Sequence, residues 1–358
     1  MHRCSVEPTA DQVQHFEGRW RQQQRLDTRL PKTPMTDVYV AMHLQFDVPE
    51  EPLAYASQLV DTLNAGFQRS DGLYSTWANQ TLADLKMIYS DQRAEAIFHF
   101  LHEPVARSPN LRFVLRHVNV GGNADAQEGF FNIWITELKS GLLGYGVFPF
   151  GNNVGDDFGV VVDYRTTSEA FTDYGAYNMN RTMIHEVGHC FGLFHTFTDP
   201  DRILTEGSGP SGSSNLGDGA ALTPPQDAPT YGNPLLPGDI PDANLLNDAG
   251  DMVALVNVMN YVHDRAMLTL TSDQVDRFHF FWHEDIKDKL VTEYYEHPAA
   301  GTYADMPLDE GDVSFTKQES STAINTWIAP VVVGILLLAV IIAIVILVAT
   351  TSKTQVSS

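Results

Sequence analysis

Cysteine is scarce in this 358-residue sequence, which contains two, Cys4 and Cys190. Two cysteines cannot supply the several disulfides that stabilise small secreted scaffolds, so a disulfide framework is excluded as the basis of the fold. The hydrophobic content of 43% is instead enough to bury a substantial core. The length fits one large domain or two domains of ordinary size.

Basic residues are scarce as well. The sequence has 22 lysines and arginines against 45 aspartates and glutamates, which gives a formal net charge of -23. A surface that binds a phosphate backbone needs many cationic side chains, so we expect no nucleic-acid partner. The acidic groups could instead hold calcium or favour cationic substrates.

The first residues, MHRCSVEPTADQVQHF, lack the apolar stretch that a secretory signal needs. Two explanations stay open: the start of the gene is missing, or the chain is anchored by its tail with the globular part in the cytosol. A glycosylation sequon at Asn79 is used only outside the cytosol, so glycan there would exclude the second explanation.

Charge is absent from residues 327–350, WIAPVVVGILLLAVIIAIVILVAT. About 24 residues of helix extend roughly 36 Å, which is enough to cross a bilayer, and we predict a single transmembrane helix there. A glycolipid-anchor signal would end in its apolar run, whereas this chain continues with a polar tail over 351–358. Lys353 behind the helix favours a C-terminus inside and a globular part that is extracellular or lumenal.

Helical and strand patterns alternate before this segment. Helices are predicted by 3.6-residue periodicity, two of them with capping boxes at Thr9/Gln12 and Thr271/Gln274. The predicted helices are 8–24, 52–67 and 271–290, and the predicted strands are 38–46, 111–120, 131–138 and 159–164.

Two stretches lack such periodicity. Residues 198–250 form a loop far longer than an ordinary connection, which is typical of a functional loop. Residues 297–326 have few large apolar side chains and are predicted to be a flexible polar stalk.

The segment HEVGHCFGLFH begins at His185 and concentrates metal-ligand side chains. On a helix, His185 and His189 lie one turn apart on the same face, so both imidazoles can reach one cation. Glu186 lies beside the first ligand, where a carboxylate can bond to a zinc-activated water. Gly192 can end the helix with positive φ and turn the chain, so that His195 becomes a third ligand. Three neutral nitrogens and an open fourth position predict a catalytic zinc site.

This extended motif resembles that of the metzincin metallopeptidases, which also have a tight turn with a methionine under the zinc site. NVMNY supplies such a turn with Met259. Within the metzincins the chain resembles the pappalysins, specifically the ulilysin-like and fungal secreted members. The segments that carry the resemblance are NIWITELKSGLLGYGVFPF, GVVVDY, YNMNRTMIHEVGHCFGLFHTF, GDGAALTPPQDAP and NVMNYVHDRAMLTLTSDQVDRF, which lie within 38–290.

The resemblance implies an α+β metzincin-type zinc peptidase domain divided by a cleft. A twisted mixed sheet and the zinc-binding helix would lie above the cleft, and the methionine turn and a C-terminal helix below it. An extended protein or peptide substrate would pair with the edge strand of the sheet.

The resemblance also implies roles for individual residues. Glu186 would be the general base, Tyr261 would stabilise the developing oxyanion, and Asp264 would line the pocket for the residue after the scissile bond. RCSVEPTADQ is similar to a pro-segment in which a cysteine thiolate takes the fourth zinc position, so Cys4 is a candidate latency cysteine. The alternative is that Cys4 is incidental.

A calcium site implied by the family is less well supported. The family's cysteine pairs after the third histidine are missing from this sequence. Where the family has Asp-Thr-Pro, this chain has Leu222-Thr223-Pro224, so an acidic residue is lost. Other acidic residues of the loop offer oxygen donors for a modified calcium site. They are Asp199, Asp201, Asp218, Asp227, Asp239 and Asp242.

The predicted organisation has five parts: a pro-segment-like region (1–34), a catalytic domain (35–296), the stalk (297–326), the transmembrane helix and the tail. The hypothesis is a membrane-anchored zinc endopeptidase. Two alternatives stay open, namely a catalytically silent adhesion or receptor module on the same fold and a tail-anchored intracellular peptidase.

Overall fold

The structure is a computed structural model. It describes 2–25, 36–102, 110–206, 218–235, 255–294 and 313–317, apart from positions 5, 49, 69–71, 123–124, 151–152, 156, 219, 221, 225, 227 and 291. The described residues belong to one compact unit, Met1–Lys317. The predicted transmembrane helix at 327–350 and the tail lie outside the described residues. Within the described part of the chain, no helix is long and apolar enough to cross a membrane.

A mixed sheet of eight strands forms the centre of the described part. The strands are β1 His2–Cys4, β2 Thr36–Gln45, β3 Leu111–Val120, β4 Phe131–Thr136, β5 Leu142–Gly146, β6 Gly159–Asp163, β7 Thr292–Tyr294 and β8 Ser314–Lys317. Their order is β1-β5-β6-β4-β2-β3-β8, and β7 pairs with the start of β2. The β5–β6 and β2–β7 pairs are antiparallel and the others are parallel. The predicted mixed sheet is confirmed.

Seven α-helices of the described part accompany the sheet. They are α1 Ala10–Arg25, α2 Pro52–Gln68, α3 Gly72–Ile88, α4 Asp91–His102, α5 Arg181–Cys190, α6 Pro200–Glu206 and α7 Ser272–Phe281. Both predicted capping boxes are present, at Thr9/Gln12 and Thr271/Gln274. The sequence patterns did not predict α3, α4 or β5, and α6 lies inside the segment expected to be a loop.

The strand β5 lies close to α5 because two of its residues are glycines. A Cβ on Gly144 would lie 3.0 Å from Cγ of Glu186, and a Cβ on Gly146 would lie 2.6 Å from the backbone oxygen of Glu186. Side chains at these positions would push the helix away, since real Cβ atoms do not approach other atoms so closely. Strand β5 and the helix that carries the motif are therefore neighbours.

Part of the predicted stalk is not flexible chain. Ser314–Lys317 pairs in parallel with β3, from His117↔Ser314 to Val120↔Lys317, so the stalk prediction is wrong for these residues. The side chains of β8 are exposed. Backbone hydrogen bonds to a sheet edge require no apolar side chains, which is why composition could not reveal this strand.

Acid is expected to destabilise the fold partly through His279 on α7. Its ring is buried 4.6 Å from the ring of His283, and burial followed by that neighbour lowers the pKa of His279 to about 4. In an unfolded chain a histidine pKa is about 6.5, so between pH 6.5 and 4 the unfolded state binds more protons. The free energy of unfolding should therefore decrease as the pH is lowered from 6.5 to 4. The contribution of His279 to this decrease is on the order of 2 kcal/mol.

Urea unfolding of the zinc-free protein at pH 7 and pH 4.5 measures this effect. His279→Gln should reduce the difference between the two pH values because glutamine does not titrate. An unchanged difference in the variant would refute the assignment to His279.

Candidate metal centre and active site

The three histidines of the motif meet at one point. His185 and His189 lie on α5, His195 follows the helix, and all three are fully buried. Nε2 of His189 lies 3.2 Å from Nε2 of His185 and 3.0 Å from Nε2 of His195. Nitrogens that are about 2.0 Å from a tetrahedral zinc ion lie roughly 3.3 Å apart. The spacing of the rings is therefore close to that of three zinc ligands.

Hydrogen bonds on the far side of two rings decide which nitrogen has a free lone pair. Nδ1 of His185 is 2.7 Å from the carbonyl oxygen of Val258, and Nδ1 of His189 is 2.8 Å from that of Leu193. A carbonyl cannot donate, so both rings carry their proton on Nδ1 and direct the Nε2 lone pair inward.

Burial keeps the rings of His189 and His195 neutral. It lowers the pKa of His189 to about 4, and burial followed by the two neighbouring histidines lowers the pKa of His195 well below its usual value. Inward lone pairs repel each other in a dry site unless a cation lies between them. The donor set therefore fits zinc.

The third ligand depends on a left-handed turn at Gly192, whose φ is +84°. The amide of Leu193 donates to the oxygen of Gly188 (3.0 Å) and closes the end of α5, as in a glycine-terminated helix. A Cβ on Gly192 would lie 2.3 Å from Cδ2 of Phe281 on α7. This close approach brings α7 against the turn that leads to His195.

Gly192→Ala is expected to destabilise the protein by about 2–4 kcal/mol and to remove most bound zinc, because both the backbone angle and the Phe281 contact oppose a side chain. Urea unfolding and zinc content after dialysis measure the two effects. Gly18→Ala is the matched control, since a Cβ at Gly18 on α1 meets nothing within 4 Å. Full zinc content in Gly192→Ala would contradict this account of the turn.

The predicted methionine turn lies under the site. Met259 is fully buried, and a Cβ on Gly188 would lie 2.5 Å from its sulfur, so glycine at this helical position lets the methionine approach. Oδ1 of Asn257 accepts from the amide of Met259 (2.9 Å), and Nδ2 of Asn257 donates to Oε1 of Gln274 (2.8 Å). Gln274, which belongs to the capping box of α7, thus also stabilises the methionine turn through Asn257.

A fourth candidate ligand comes from the predicted pro-segment, residues 1–34, which we call the leader. In the β1–β5 pair, Cys4 lies opposite Gly144. Sγ of Cys4 and one nitrogen of each of the three histidines lie within 4.8 Å of one another, and all four residues are buried. Among the described residues this is the one such group of three or more potential metal ligands.

The predicted catalytic residues lie beside this group. Sγ of Cys4 donates to Oε2 of Glu186 (3.2 Å), and burial, followed by Glu186, raises the pKa of the thiol well above its usual value. Oη of Tyr261 donates to the backbone oxygen of Cys4 (3.1 Å), and the ring centroids of Tyr261 and His195 are 5.0 Å apart. Burial raises the pKa of Tyr261, so its hydroxyl keeps its proton and is a hydrogen-bond donor in the site.

Asp264 is fully buried, and its carboxylate lies at the start of α5. Oδ2 accepts from the amide of Met179 (2.8 Å) and from that of Arg181 (3.4 Å). A carboxylate at a helix N-terminus satisfies free amides and interacts favourably with the helix dipole. The structure thus gives Asp264 a part in holding the zinc-binding helix, and lining of a specificity pocket stays a prediction.

The acidic residues considered for calcium are only partly described. Asp201 Oδ1 accepts from Nη2 of Arg21 (2.8 Å), and Asp218 Oδ2 accepts from Nε2 of Gln274 (2.7 Å). Asp199 is buried. The other three, Asp227, Asp239 and Asp242, lie outside the described residues. Calcium therefore stays a prediction from the loop's composition.

Sequence reasoning missed several contributors to the site. The carbonyls of Val258 and Leu193 fix two ligand rings, and a backbone group carries no residue-type signal. Gln274 was visible as a capping residue but not as a support of the methionine turn. Oε1 of Glu7 in the leader lies 3.7 Å from Nδ1 of His195, a contact that no spacing rule predicts.

A family model described as pregnancy-associated plasma protein-A matches residues 118–282. This stretch contains the three histidines, Glu186 and the methionine turn. Residues 118–282 of this chain therefore resemble a pappalysin metallopeptidase domain. This match supports the predicted family, and the prediction of a metalloprotease is confirmed.

Fungal proteins that are similar to this chain are named extracellular metalloproteases. Extracellular metalloprotease 1 of Coccidioides posadasii is 27% identical over 221 residues, which are 58% of this chain and 70% of that one. The Aspergillus fumigatus enzyme is 37% identical over 113 residues, 32% of this chain and 30% of its own. The Colletotrichum graminicola enzyme is 30% identical over 159 residues, 44% of this chain and 50% of its own. The chain thus matches half or less of the latter two relatives.

Two solved structures resemble the fold of this chain. Promirolysin of Tannerella forsythia matches with a TM-score of 0.56 and 21% identity over 80% of this chain and 96% of its own. Mirolysin in complex with a compound matches with a TM-score of 0.51 and 23% identity over 72% of this chain and 96% of its own. These similarities establish the fold alone, and they confirm the predicted mixed α+β metzincin-like architecture.

Proposed function

We propose that this chain is a zinc endopeptidase that its leader keeps latent and that residues 327–350 hold at a membrane. The observation that carries the peptidase assignment is the convergence of three neutral imidazoles beside Glu186 and Tyr261. Zinc in such a site acts as a Lewis acid on a substrate carbonyl and on water.

The side chains of the site divide the proton transfers between them. Glu186 lies next to the first ligand and takes a proton from the water that attacks the scissile carbonyl, then delivers it to the leaving amine. Tyr261 donates its hydroxyl proton in a hydrogen bond to the oxyanion that develops. In the structure the same hydroxyl donates to the backbone oxygen of Cys4 (3.1 Å).

The edge of the sheet supports the substrate class. An extended peptide adds to a sheet edge through backbone hydrogen bonds, which suits protein and peptide substrates of varied sequence. Here β1 of the leader already pairs with β5. Substrate and leader therefore compete for one edge, which supports latency independently of the position of the Cys4 thiol.

Peptide-library digestion tests the function. The chain beginning at Thr36 should bind one zinc ion and cleave peptides, and a chelator should stop the cleavage until zinc is restored. Bound zinc without any cleavage in a broad library would favour the catalytically silent adhesion or receptor module instead.

The membrane location rests on the uncharged segment 327–350. The name extracellular metalloprotease given to the fungal relatives supports a domain outside the cytosol. Asn79 is exposed on α3 and can accept a glycan there. A glycosidase-sensitive mass shift in the membrane fraction, lost in Asn79→Gln, is expected for an extracellular or lumenal domain. An unglycosylated membrane-bound protein would favour the tail-anchored intracellular peptidase.

A further inference from the structure

The leader contacts the predicted catalytic domain at a second place, downstream of Cys4 in the sequence. Helix α1 buries Val13, Phe16 and Trp20, which are 0%, 0% and 3% exposed. They join one apolar cluster with side chains of the domain, namely Phe148, Phe194, Ile203, Phe280 and Phe281. The ring of Phe16 meets that of Phe281 edge to face, with centroids 4.8 Å apart. Such burial of large aromatic side chains is a main source of interface stability.

A buried ion pair lies in the middle of this contact. Glu17 on α1 accepts from Nη1 of Arg277 on α7, and both side chains are at most 2% exposed. Nε of Arg277 donates to the oxygen of Gly192 (2.8 Å), and its guanidinium lies 4.4 Å from the centroid of Phe194. The leader thus supplies the counter-charge for a cation that the domain holds inside, at the turn that leads to the third histidine.

Exposed and half-exposed ion pairs surround this centre. Nη1 of Arg19 donates to Oδ1 of Asp285 (2.7 Å) and Nη2 of Arg19 to Oε2 of Glu284 (3.1 Å). Nη2 of Arg21 donates to Oδ1 of Asp201 (2.8 Å). An apolar centre with one buried charge pair and a polar rim is the anatomy of an interface between two separate proteins.

We propose that this face of the domain is a binding surface for an amphipathic helix with a central carboxylate, and that α1 is its occupant even after the chain is cut between α1 and β2. The leader then remains as a noncovalent inhibitor that keeps Cys4 in the site. This inference rests on the proposed latency. A single cut would not activate the enzyme, and removal or digestion of α1 would be the decisive step.

The physical reason is the cost of separation. Loss of α1 would expose the aromatic cluster and leave the guanidinium of Arg277 without its carboxylate. Breaking a buried pair by removing one partner is strongly unfavourable, whereas a cut in the connecting chain breaks none of these contacts. Docking of α1 also raises the effective concentration of Cys4 at the site, because the two are linked in one chain and the binding of one keeps the other close.

Cutting the zinc-loaded full chain tests this. A specific protease site is inserted between residues 28 and 33, the chain is cut there, and size exclusion followed by native mass spectrometry shows whether the leader stays. We expect the leader to co-elute and peptide hydrolysis to stay low until α1 is digested. Release of the leader during the column run would overturn the proposal.

Variants separate α1 from the thiol. The cut Cys4→Ser protein should still retain its leader, and prompt release from it would show that Cys4 alone holds the leader and would overturn the proposal. Glu17→Gln should speed release of the leader at least about 10-fold. Trp20→Ala should also speed release of the leader, and this variant replaces Glu17→Gln in the test if Glu17→Gln fails to fold. Gln14→Ala, on the exposed side of α1, is the matched control and should not change release.

Retention of the leader is measured by native mass spectrometry and does not depend on peptidase activity. The proposed function and the proposed retention of the leader can therefore be refuted separately. A leader that stays bound to a domain that never cleaves peptides would refute the proposed function and leave the helix-binding surface intact. A leader that leaves at once from an enzyme that then cleaves would refute this inference alone.

Discussion

Glu186→Gln in the leader-free protein is expected to lower kcat/KM for peptide hydrolysis by at least about 1,000-fold while zinc stays bound. Glutamine has nearly the shape of glutamate but cannot take a proton from water or carry it to the leaving amine. The carboxylate is buried at the centre of the site and is not needed as a ligand, because three imidazoles already converge there. Activity and metal affinity should therefore separate in this variant.

Zinc content, thermal unfolding and hydrolysis of one fluorogenic peptide test this separation. Glu169→Gln is the matched control, since Glu169 is an exposed glutamate away from the motif. We expect that control to equal the wild type in all three measurements. A Glu186→Gln enzyme within about tenfold of wild-type activity would exclude Glu186 as the general base.

If the proposed latency holds, Cys4→Ser in the intact chain is expected to raise peptide hydrolysis at least about 10-fold above that of the wild type. A thiolate is a strong ligand for zinc and a serine hydroxyl is a weak one, so the fourth position opens to water. Activity should remain below that of the leader-free protein, because β1 still pairs with β5 and α1 still packs on α7.

Cys190→Ser is the control for loss of a cysteine. Cys190 is buried on α5 and donates to the oxygen of Gly159 (3.2 Å), outside the ligand group. Cobalt substitution adds a direct readout, since thiolate-to-cobalt charge transfer should appear in the wild type and in Cys190→Ser but not in Cys4→Ser. If that absorption is missing from the wild type, and Cys4→Ser brings no gain in activity, latency through Cys4 is wrong.

Local sequence was sufficient for most of the ligand set. His185 and His189 share a helix face because of the 3.6-residue period, and Gly192 turns the chain because it tolerates positive φ. These relations act within eleven residues and need no knowledge of the rest of the fold. The capping boxes at Thr9/Gln12 and Thr271/Gln274 were predicted for the same reason.

Elements that depend on distant partners were missed. The short strand β5 has two glycines and no strong alternation, and its position comes from pairing with β6 and from close contact with α5. The polar strand β8 exists only as an addition to the edge of β3. Backbone pairing of this kind leaves little trace in side-chain composition.

The sequence by itself was enough to predict a metal site, the metalloprotease class and candidate residues for the chemistry, because motif spacing is a local geometric property of a helix and a turn. Only the tertiary structure decided what the leader does to them. Cys4 meets Glu186 across 182 positions, and Glu17 meets Arg277 across 260. Contacts at such separations arise from the packing of whole elements, and no periodicity along the chain encodes which buried charge will face which.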